Sequence, residues 1–448
     1  VQLQNQNCDN RTETGITMRL TIHRGAKEIG GSCVELAAGS TRIVLDLGMP
    51  LVTSNREPFD QETLRGQTTE QLQEQGILPN ISGLFDDAAP PSAILLTHAH
   101  LDHSGLLKFS RPEIPVHTSQ GTSKMMLAGS LFSRQVALPR TRFRRVESGV
   151  PFQIGDFRIT AFSVDHSAFD SLAFLVEAEG RSLLYSGDLR LHGRKPGMAK
   201  KLIYEVAQRK IDVLLMEGTH LGGEKERGPT EYELEEQIID QIKDAPGLVL
   251  ATFSPQDVDR LVTFYRAARR TGRTFVADAY GAFILHLVSS QAKIPQPITE
   301  AGIRVYFNQS FEQRNLEKVR RKFLSDRISL DEIIAQPRKH VMIFRPSMVT
   351  LDFQGTLPPN CRCIYSYWKG YLTRPDWIEL QEKIVEAGGD FIPSHASGHI
   401  YVADLVEFVT AIHPKTVIPI HTFEPRMFCQ HFHNTCLLPD GQDFVIEP

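Results

Sequence analysis

The sequence predicts a two-lobed α/β protein with its chemistry displayed at strand ends, and three observations carry that reading. The first is Thr97-His98-Ala99-His100-Leu101-Asp102-His103, where three histidines and an aspartate fall within six residues directly behind the apolar run Ala93-Ile94-Leu95-Leu96. A run of that kind reads as a buried strand that delivers polar side chains to the loop at its C-terminal end. The second is the recurrence of the same arrangement elsewhere in the chain. The third is the length of chain between Asp188 and His421, which alternates strand-like and helix-like patterns as a separate α/β unit does.

Taken in order, Met18-Arg19-Leu20-Thr21-Ile22 is the first strand, and Arg42-Ile43-Val44-Leu45 ends in Asp46. Ile159 to Val164 leads to Asp165-His166, Ser182 to Ser186 leads to Gly187-Asp188, and Thr416-Val417-Ile418-Pro419-Ile420 ends in His421. A single Asp or His in such a place is usually a helix cap or a satisfied core residue. Several of them, each just past a short β-branched run, point to one shared site. Imidazole suits zinc, and a carboxylate beside it suits a hydrolytic centre.

Between Asp188 and His421 the pattern predicts strands at Gly247–Thr252, Thr274–Asp278, His340–Phe344 and Arg362–Ser366, with an amphipathic helix from Gln256 to Thr271. Strand and helix in turn argue for a small parallel sheet flanked by helices, a lobe able to close over the metal site.

The motifs Asp46, His98-Ala99-His100-Leu101-Asp102-His103, His166, Asp188 and His421 resemble those of the metallo-β-lactamase superfamily. The resemblance implies an αββα sandwich with two zinc ions at the edge of its sheets, Mn²⁺ being the alternative metal. His98, His100 and His166 would hold one ion, Asp102, His103 and His421 the other, and Asp188 would bridge them. Asp46 would orient a ligand from behind. Three further stretches resemble the β-CASP group: Leu214-Leu215-Met216-Glu217-Gly218-Thr219-His220, Ser394-His395-Ala396-Ser397-Gly398-His399 and Val417-Ile418-Pro419-Ile420-His421. The second, in its His-x-Ser-Gly-His form, and Glu28-Ile29-Gly30-Gly31-Ser32-Cys33 resemble the ribonuclease J family in its short form, and His421 in the third resembles the RNA-directed members of the group.

That resemblance implies a metallo-β-lactamase domain over residues 18–221 and 386–448 and a β-CASP domain over 222–385. It implies hydrolysis of phosphodiester bonds in single-stranded RNA, from the 5′ end, internally or both. The catalytic candidates are Asp102, His399 and Glu217. Glu217 would orient a metal-binding histidine, and His399, outside the metal shell, would donate to a phosphoryl oxygen or protonate the leaving 3′ oxygen. His395 and Ser397 would contact the substrate phosphate. Family members carry a Thr-Gly-Ser-Gln-like loop that meets terminal nucleotides; the matching segment here reads Phe344-Arg345-Pro346-Ser347-Met348-Val349, so end specificity is not carried over. The rival readings are a hydrolase of a small ester, thioester or cyclic nucleotide, which needs no second lobe, and a non-catalytic RNA-binding protein, disfavoured because every ligand position is filled.

With 448 residues and a net charge of −4, the chain can bury two cores but does not announce a nucleic-acid binder by charge. Local basic clusters exist at Arg134, Arg140, Arg142, Arg144 and Arg145, and at Arg320, Arg321 and Lys322; phosphate contact and a solvated surface are equally compatible with each. Phe143 is read as a core anchor. Six cysteines without a disulfide-like spacing imply a reducing compartment, the cytoplasm. Cys361 and Cys363 alternate on a strand toward one buried side, and Cys429 to Cys436 reads as a helix packing Cys429, His433 and Cys436 on one face. No run reaches the roughly 20 apolar residues of a membrane span. Residues 1–17 are read as a disordered extension, and residues 55–75 as a surface excursion near the cleft. Longer family members use a further C-terminal domain in dimerisation; the residues after His421 are few, which leaves a monomer and a homodimer both open.

Overall fold

Nearly every β-branched run singled out above is a strand in the computed structural model, which describes residues 17–53, 55–133, 135–223, 227–297 and 302–447. Two sheets stack face to face. The first runs Asp443–Ile446, Met18–Arg24, Cys33–Ala38, Thr41–Leu45, Ala93–Leu95, Val116–Thr118, Phe143–Arg145. The second runs Thr416–Ile420, Val213–Glu217, Arg181–Tyr185, Leu172–Ala178, Phe157–Ser163, Pro151–Ile154. Each sheet is part antiparallel and part parallel; Thr41–Leu45, Ala93–Leu95, Arg181–Tyr185 and Thr416–Ile420, which precede Asp46, His98, Asp188 and His421, lie in the parallel parts, whereas Phe157–Ser163, which precedes His166, is antiparallel to both its neighbours.

Side chains alternate across a strand, so one set faces inward and the other outward. Leu20, Ile43, Leu95, Ile159, Phe174, Leu183, Leu215 and Ile418 meet between the sheets. Outward-facing Val44, Ile94 and Val116 pack under Leu72 and Leu106. On the far side Leu175, Leu184, Leu214 and Val417 pack under the helices Pro196–Ala207 and Val402–Ile412. The result is the four-layer αββα sandwich expected.

The chain between the second and last strands of the sandwich's metal edge forms a third sheet, Ile303–Tyr306, Thr274–Asp278, His340–Ile343, Val249–Thr252, Arg362–Tyr365, Asp390–Pro393, parallel throughout. It reaches past residue 385, taking its edge strand from Asp390–Pro393. Both faces are covered: Val249, Ala251, Phe275 and Ile343 on one, Leu250, Met342, Cys363 and Tyr365 on the other. The amphipathic helix starts at Val258 rather than Gln256 because the Asp257 carboxylate accepts the Arg260 N–H and caps it.

One expectation fails for a physical reason, and another is narrowed. The helix read over Cys429–Cys436 stops at His431, because Phe432 turns extended and buries its ring while Cys436 N–H bonds to Val417 O at the sheet edge. Cys429 is exposed in consequence, and only Cys436 packs inward. The basic clusters are also less free than composition suggests. Arg142 is buried, donating to Ile114 O, Leu107 O and Ser110 Oγ, while Arg320 and Arg321 pair with Glu312 and Glu317. Arg134 and the extension before Thr17 lie outside the described residues. Cys361 and Cys363 are buried together, and Phe143 packs against the core, both as read. The excursion over residues 55–75 is mostly exposed, anchored by Leu64 and Leu72. No described helix is long and apolar enough to cross a membrane.

Candidate metal centre

The C-terminal ends of these strands, including the antiparallel one before His166, meet at one edge of the sandwich, and the predicted histidines and aspartates converge there. Sharp turns aim them. Asp46 and His421 both adopt left-handed backbone, φ 57° and 54°, an arrangement that disfavours non-glycine residues and persists only where the surroundings hold it. Around Asp46 that support is visible: its carboxylate accepts from Thr97 N and Oγ1 at 2.7 and 2.8 Å, from the Tyr185 hydroxyl at 2.9 Å and from His103 Nδ1 at 2.7 Å.

His98, His100 and His166 form one cluster, and Asp102, His103, Asp188 and His421 form another, each with its candidate donor atoms within 4.8 Å of one another. His100 Nδ1 lies 3.2 Å from both His98 Nε2 and His166 Nε2. In the second cluster His421 Nε2 is 3.2 Å from Asp102 Oδ2, and His103 Nε2 is 3.1 Å from Asp188 Oδ2. Zn–N bonds of about 2.0–2.1 Å at tetrahedral angles put neighbouring donors roughly 3.3 Å apart, so these spacings suit that ion. The single oxygen Asp188 Oδ2 also stands 3.7 Å from His98 Nε2, 3.8 Å from His166 Nε2 and 3.8 Å from His421 Nε2, between the clusters.

Hydrogen bonding gives an independent test of fit. Both oxygens of the buried Asp188 carboxylate, and His103 Nε2 beside it, lack a hydrogen-bond partner. A buried unpaired carboxylate costs several kcal/mol, and the two groups are close yet misaligned, as expected of donors aimed at a common cation. The opposite ring nitrogens are anchored. His98 Nδ1 meets Thr97 Oγ1 at 3.0 Å, His166 Nδ1 meets Gly398 O at 2.5 Å and His421 Nδ1 meets Thr219 Oγ1 at 2.9 Å. Such partners fix ring orientation and tautomer. Burial keeps His98 and His166 well below the ordinary 6.5, as neutral donors. Burial works against ionisation of Asp102 and Asp188 as well, but the surrounding imidazoles outweigh it and hold both carboxyls low.

Glu217 pairs directly with His399, Nδ1 to Oε2 at 3.1 Å, and reaches His421 only through the Thr219 hydroxyl, which donates to it at 2.8 Å. His399 stacks on His421 with ring centroids 5.3 Å apart and stands 3.7 Å from Asp188 Oδ2. Burial alone would depress His399; the Glu217 and Asp188 carboxylates overcome it and raise the imidazole to about 9. Asp188, Glu217, His399 and His421 form a third group of candidate donors, and His395 and Ser397 fall outside it and the two above. His395 Nδ1 donates to Ser366 O at 3.2 Å, and burial with the neighbouring Arg260 drives it down to about 3, hence neutral. Ser397 Oγ accepts the His399 N–H at 3.1 Å and contacts His220 Nε2 at 2.7 Å, so it braces the loop that carries His399.

Sequence reading missed the ionic frame behind this loop. Arg190 and Arg260 are fully buried and share one oxygen, Glu231 Oε1, each at 2.8 Å. Arg190, two residues beyond Asp188, also binds Asp165, Asp259 and Ser397 O, while Arg260 of the second lobe holds Ala396 O. The two lobes and the His399 loop thus meet at one carboxylate, whose pKa the arginines pull down to about 2 against the opposing effect of burial. The available signal was Arg190 itself, a charge flanked by Leu189 and Leu191 at a strand end. Glu231→Gln is expected to lower the unfolding free energy by about 3–5 kcal/mol, the usual effect of breaking a buried pair. Denaturant titration checks it, and a loss below roughly 1 kcal/mol would show the frame to be dispensable.

Comparison with known proteins agrees with this geometry. Residues 64–248 match the family described as a beta-lactamase superfamily domain. The chain is 25% identical over 452 residues to Ribonuclease J of Helicobacter pylori (strain ATCC 700392 / 26695), covering 96% of this chain and 60% of that one. It is 22% identical over 360 residues to Ribonuclease J of Sinorhizobium meliloti, covering 77% of this chain and 60% of that one. The chain therefore spans about 60% of the length of these relatives. A crystal structure of a protein of unknown function from Enterococcus faecalis V583 shares the fold, with a TM-score of 0.77, 21% identity and coverage of 96% of this chain and 100% of that one.

Proposed function

Because the chain is a ribonuclease J-like protein of the beta-lactamase superfamily, we propose that it is a metal-dependent phosphodiesterase that cuts single-stranded RNA. The cut falls in the cleft between the sandwich and a β-CASP lobe comprising residues 222–385 and the strand that follows. The observation that carries this reading is the unpartnered Asp188 carboxylate set between two histidine clusters, with the His399–Glu217 pair at its side. Similarity to Ribonuclease J of two bacteria supports RNA as the substrate class.

His98, His100 and His166 would hold one zinc ion and Asp102, His103 and His421 the other, with Asp188 shared between them, and Mn²⁺ could replace zinc. A zinc pair supplies an acidified water, pKa about 7, and positive charge against the attacked phosphate. Asp46 fixes His103 with Nε2 inward, and Thr219 does the same for His421. With Nδ1 engaged by Glu217, His399 Nε2 is the nitrogen left to deliver a proton to the leaving 3′ oxygen, and the Glu217 and Asp188 carboxylates favour the protonated imidazole. Glu217 keeps that proton in place. His395 and Ser397 act on the substrate phosphate through the loop they brace. The five described cysteines are free, in keeping with a reducing compartment such as the cytoplasm.

A time course on single-stranded RNA labelled at the 5′ end, with monophosphate, triphosphate and hydroxyl ends compared, tests the proposal. Cleavage that a chelator stops is the expected result. Labelled mononucleotide from the first time point assigns 5′ exonuclease action, and discrete internal fragments assign endonuclease action. No metal-dependent cleavage of any RNA would overturn the reading in favour of a small-ester hydrolase.

A further inference from the structure

The strand Arg362–Tyr365 ends beside the loop that carries His395, where Ser366 O accepts from His395 Nδ1. The next residues leave that edge as an aromatic turn. Tyr367, Tyr371 and Leu372 pack back against the core of the second lobe, but Trp368 does not. Its side chain projects from the turn at 64% exposure, although its carbonyl is pinned by the Tyr365 hydroxyl at 2.7 Å.

The indole is nevertheless held. Its six-membered ring lies against Gly370 so closely that a β-carbon there would come within 2.2 Å of it. Tyr371 stands edge-on at 5.4 Å, interplanar angle 89°, and the Arg374 guanidinium lies 4.2 Å over the Tyr371 ring. Lys369 and Arg374 are exposed on either side.

We infer that Trp368, backed by Gly370 and Tyr371, is a stacking shelf for one base of the single strand that runs to the metal centre, with Lys369 and Arg374 neutralising the adjoining phosphates. An aromatic face accepts any base, because every base has a π-face, and this suits a single strand read without sequence preference. The flanking cations select a polyanion over an apolar protein surface. The assignment of the ligand rests on the nuclease reading above.

Only two tryptophans are present, and the other, Trp377, is 7% exposed, so fluorescence reports the shelf selectively. A phosphorothioate oligoadenylate added to the whole protein should quench emission, an abasic oligomer of equal charge should not, and Trp368→Leu should lose the response. Trp368→Leu should also raise KM for an RNA oligomer roughly tenfold, in line with one lost stack, with kcat and hydrolysis of bis(p-nitrophenyl) phosphate little changed. Equal quenching by the abasic oligomer, or quenching retained in Trp368→Leu, would overturn the shelf. Self-association abolished by Trp368→Leu, without nucleotide quenching, would give this face to a second copy of the chain. Quenching without RNA cleavage would leave the shelf standing and remove the nuclease reading, whereas cleavage without quenching would do the reverse.

Discussion

Asp188→Ala is expected to release metal and bring RNA cleavage to the uncatalysed background, a fall on the order of a millionfold or more. The reason is geometric. One carboxylate oxygen stands 3.1–3.8 Å from imidazole nitrogens of both clusters, and neither oxygen has another partner. Without it, four buried imidazoles face each other with no shared anion, and two cations would lie side by side with their mutual repulsion unscreened. Metal content by atomic emission and cleavage of a labelled oligomer are the two readouts. Retention of two metals per chain would refute the bridging role.

His399→Ala is expected to behave differently, keeping its metal while cleavage falls by roughly two to four orders of magnitude, the usual worth of a general acid. His399 pairs with Glu217 at 3.1 Å and lies farther, 3.7 Å, from Asp188 Oδ2, and its side chain is 22% exposed, against 2% for His421. The loss should lie in kcat, and a substrate with a leaving group that needs no proton, such as a p-nitrophenyl ester, should restore most of the rate. Metal loss in this variant would instead move His399 into the coordination shell, and wild-type cleavage would remove it from the chemistry.

What could be read in the sequence was local. His98 to His103 announces itself because the spacing and the strand before it are contiguous, and Asp46, His166, Asp188 and His421 each carry the same strand-end signature. The parallel lobe was legible for the same reason, since period-2 runs and amphipathic helices are written in consecutive residues. What escaped depends on partners far apart in the chain. Nothing near Glu231 says that its carboxylate will receive guanidinium groups from positions 190 and 260. Thr219 as the link between Glu217 and His421, and His395 turned toward Ser366, are set by where three strand ends happen to meet. The helix expected over Cys429–Cys436 failed likewise, because a sheet edge offered Cys436 a better hydrogen bond than helical continuation.

The centre also has an order of assembly. His100 meets His166 across 66 residues of chain, whereas His421 reaches Asp102 across 319. Closing a longer loop adds only about 0.6 kcal/mol per doubling, so the second pairing is affordable in equilibrium terms, but distant contacts slow the search for the native fold. The three-histidine set draws on the later chain only through Gly398 O, which anchors His166 Nδ1, whereas the second set takes His421 itself from the end of Thr416–Ile420, docked against Val213–Glu217. A half-folded chain would hold a single ion in a pocket of neutral imidazoles. Completion of the second set coincides with completion of the sheet, so the full two-cluster centre exists only in a molecule whose last sandwich strand is in place.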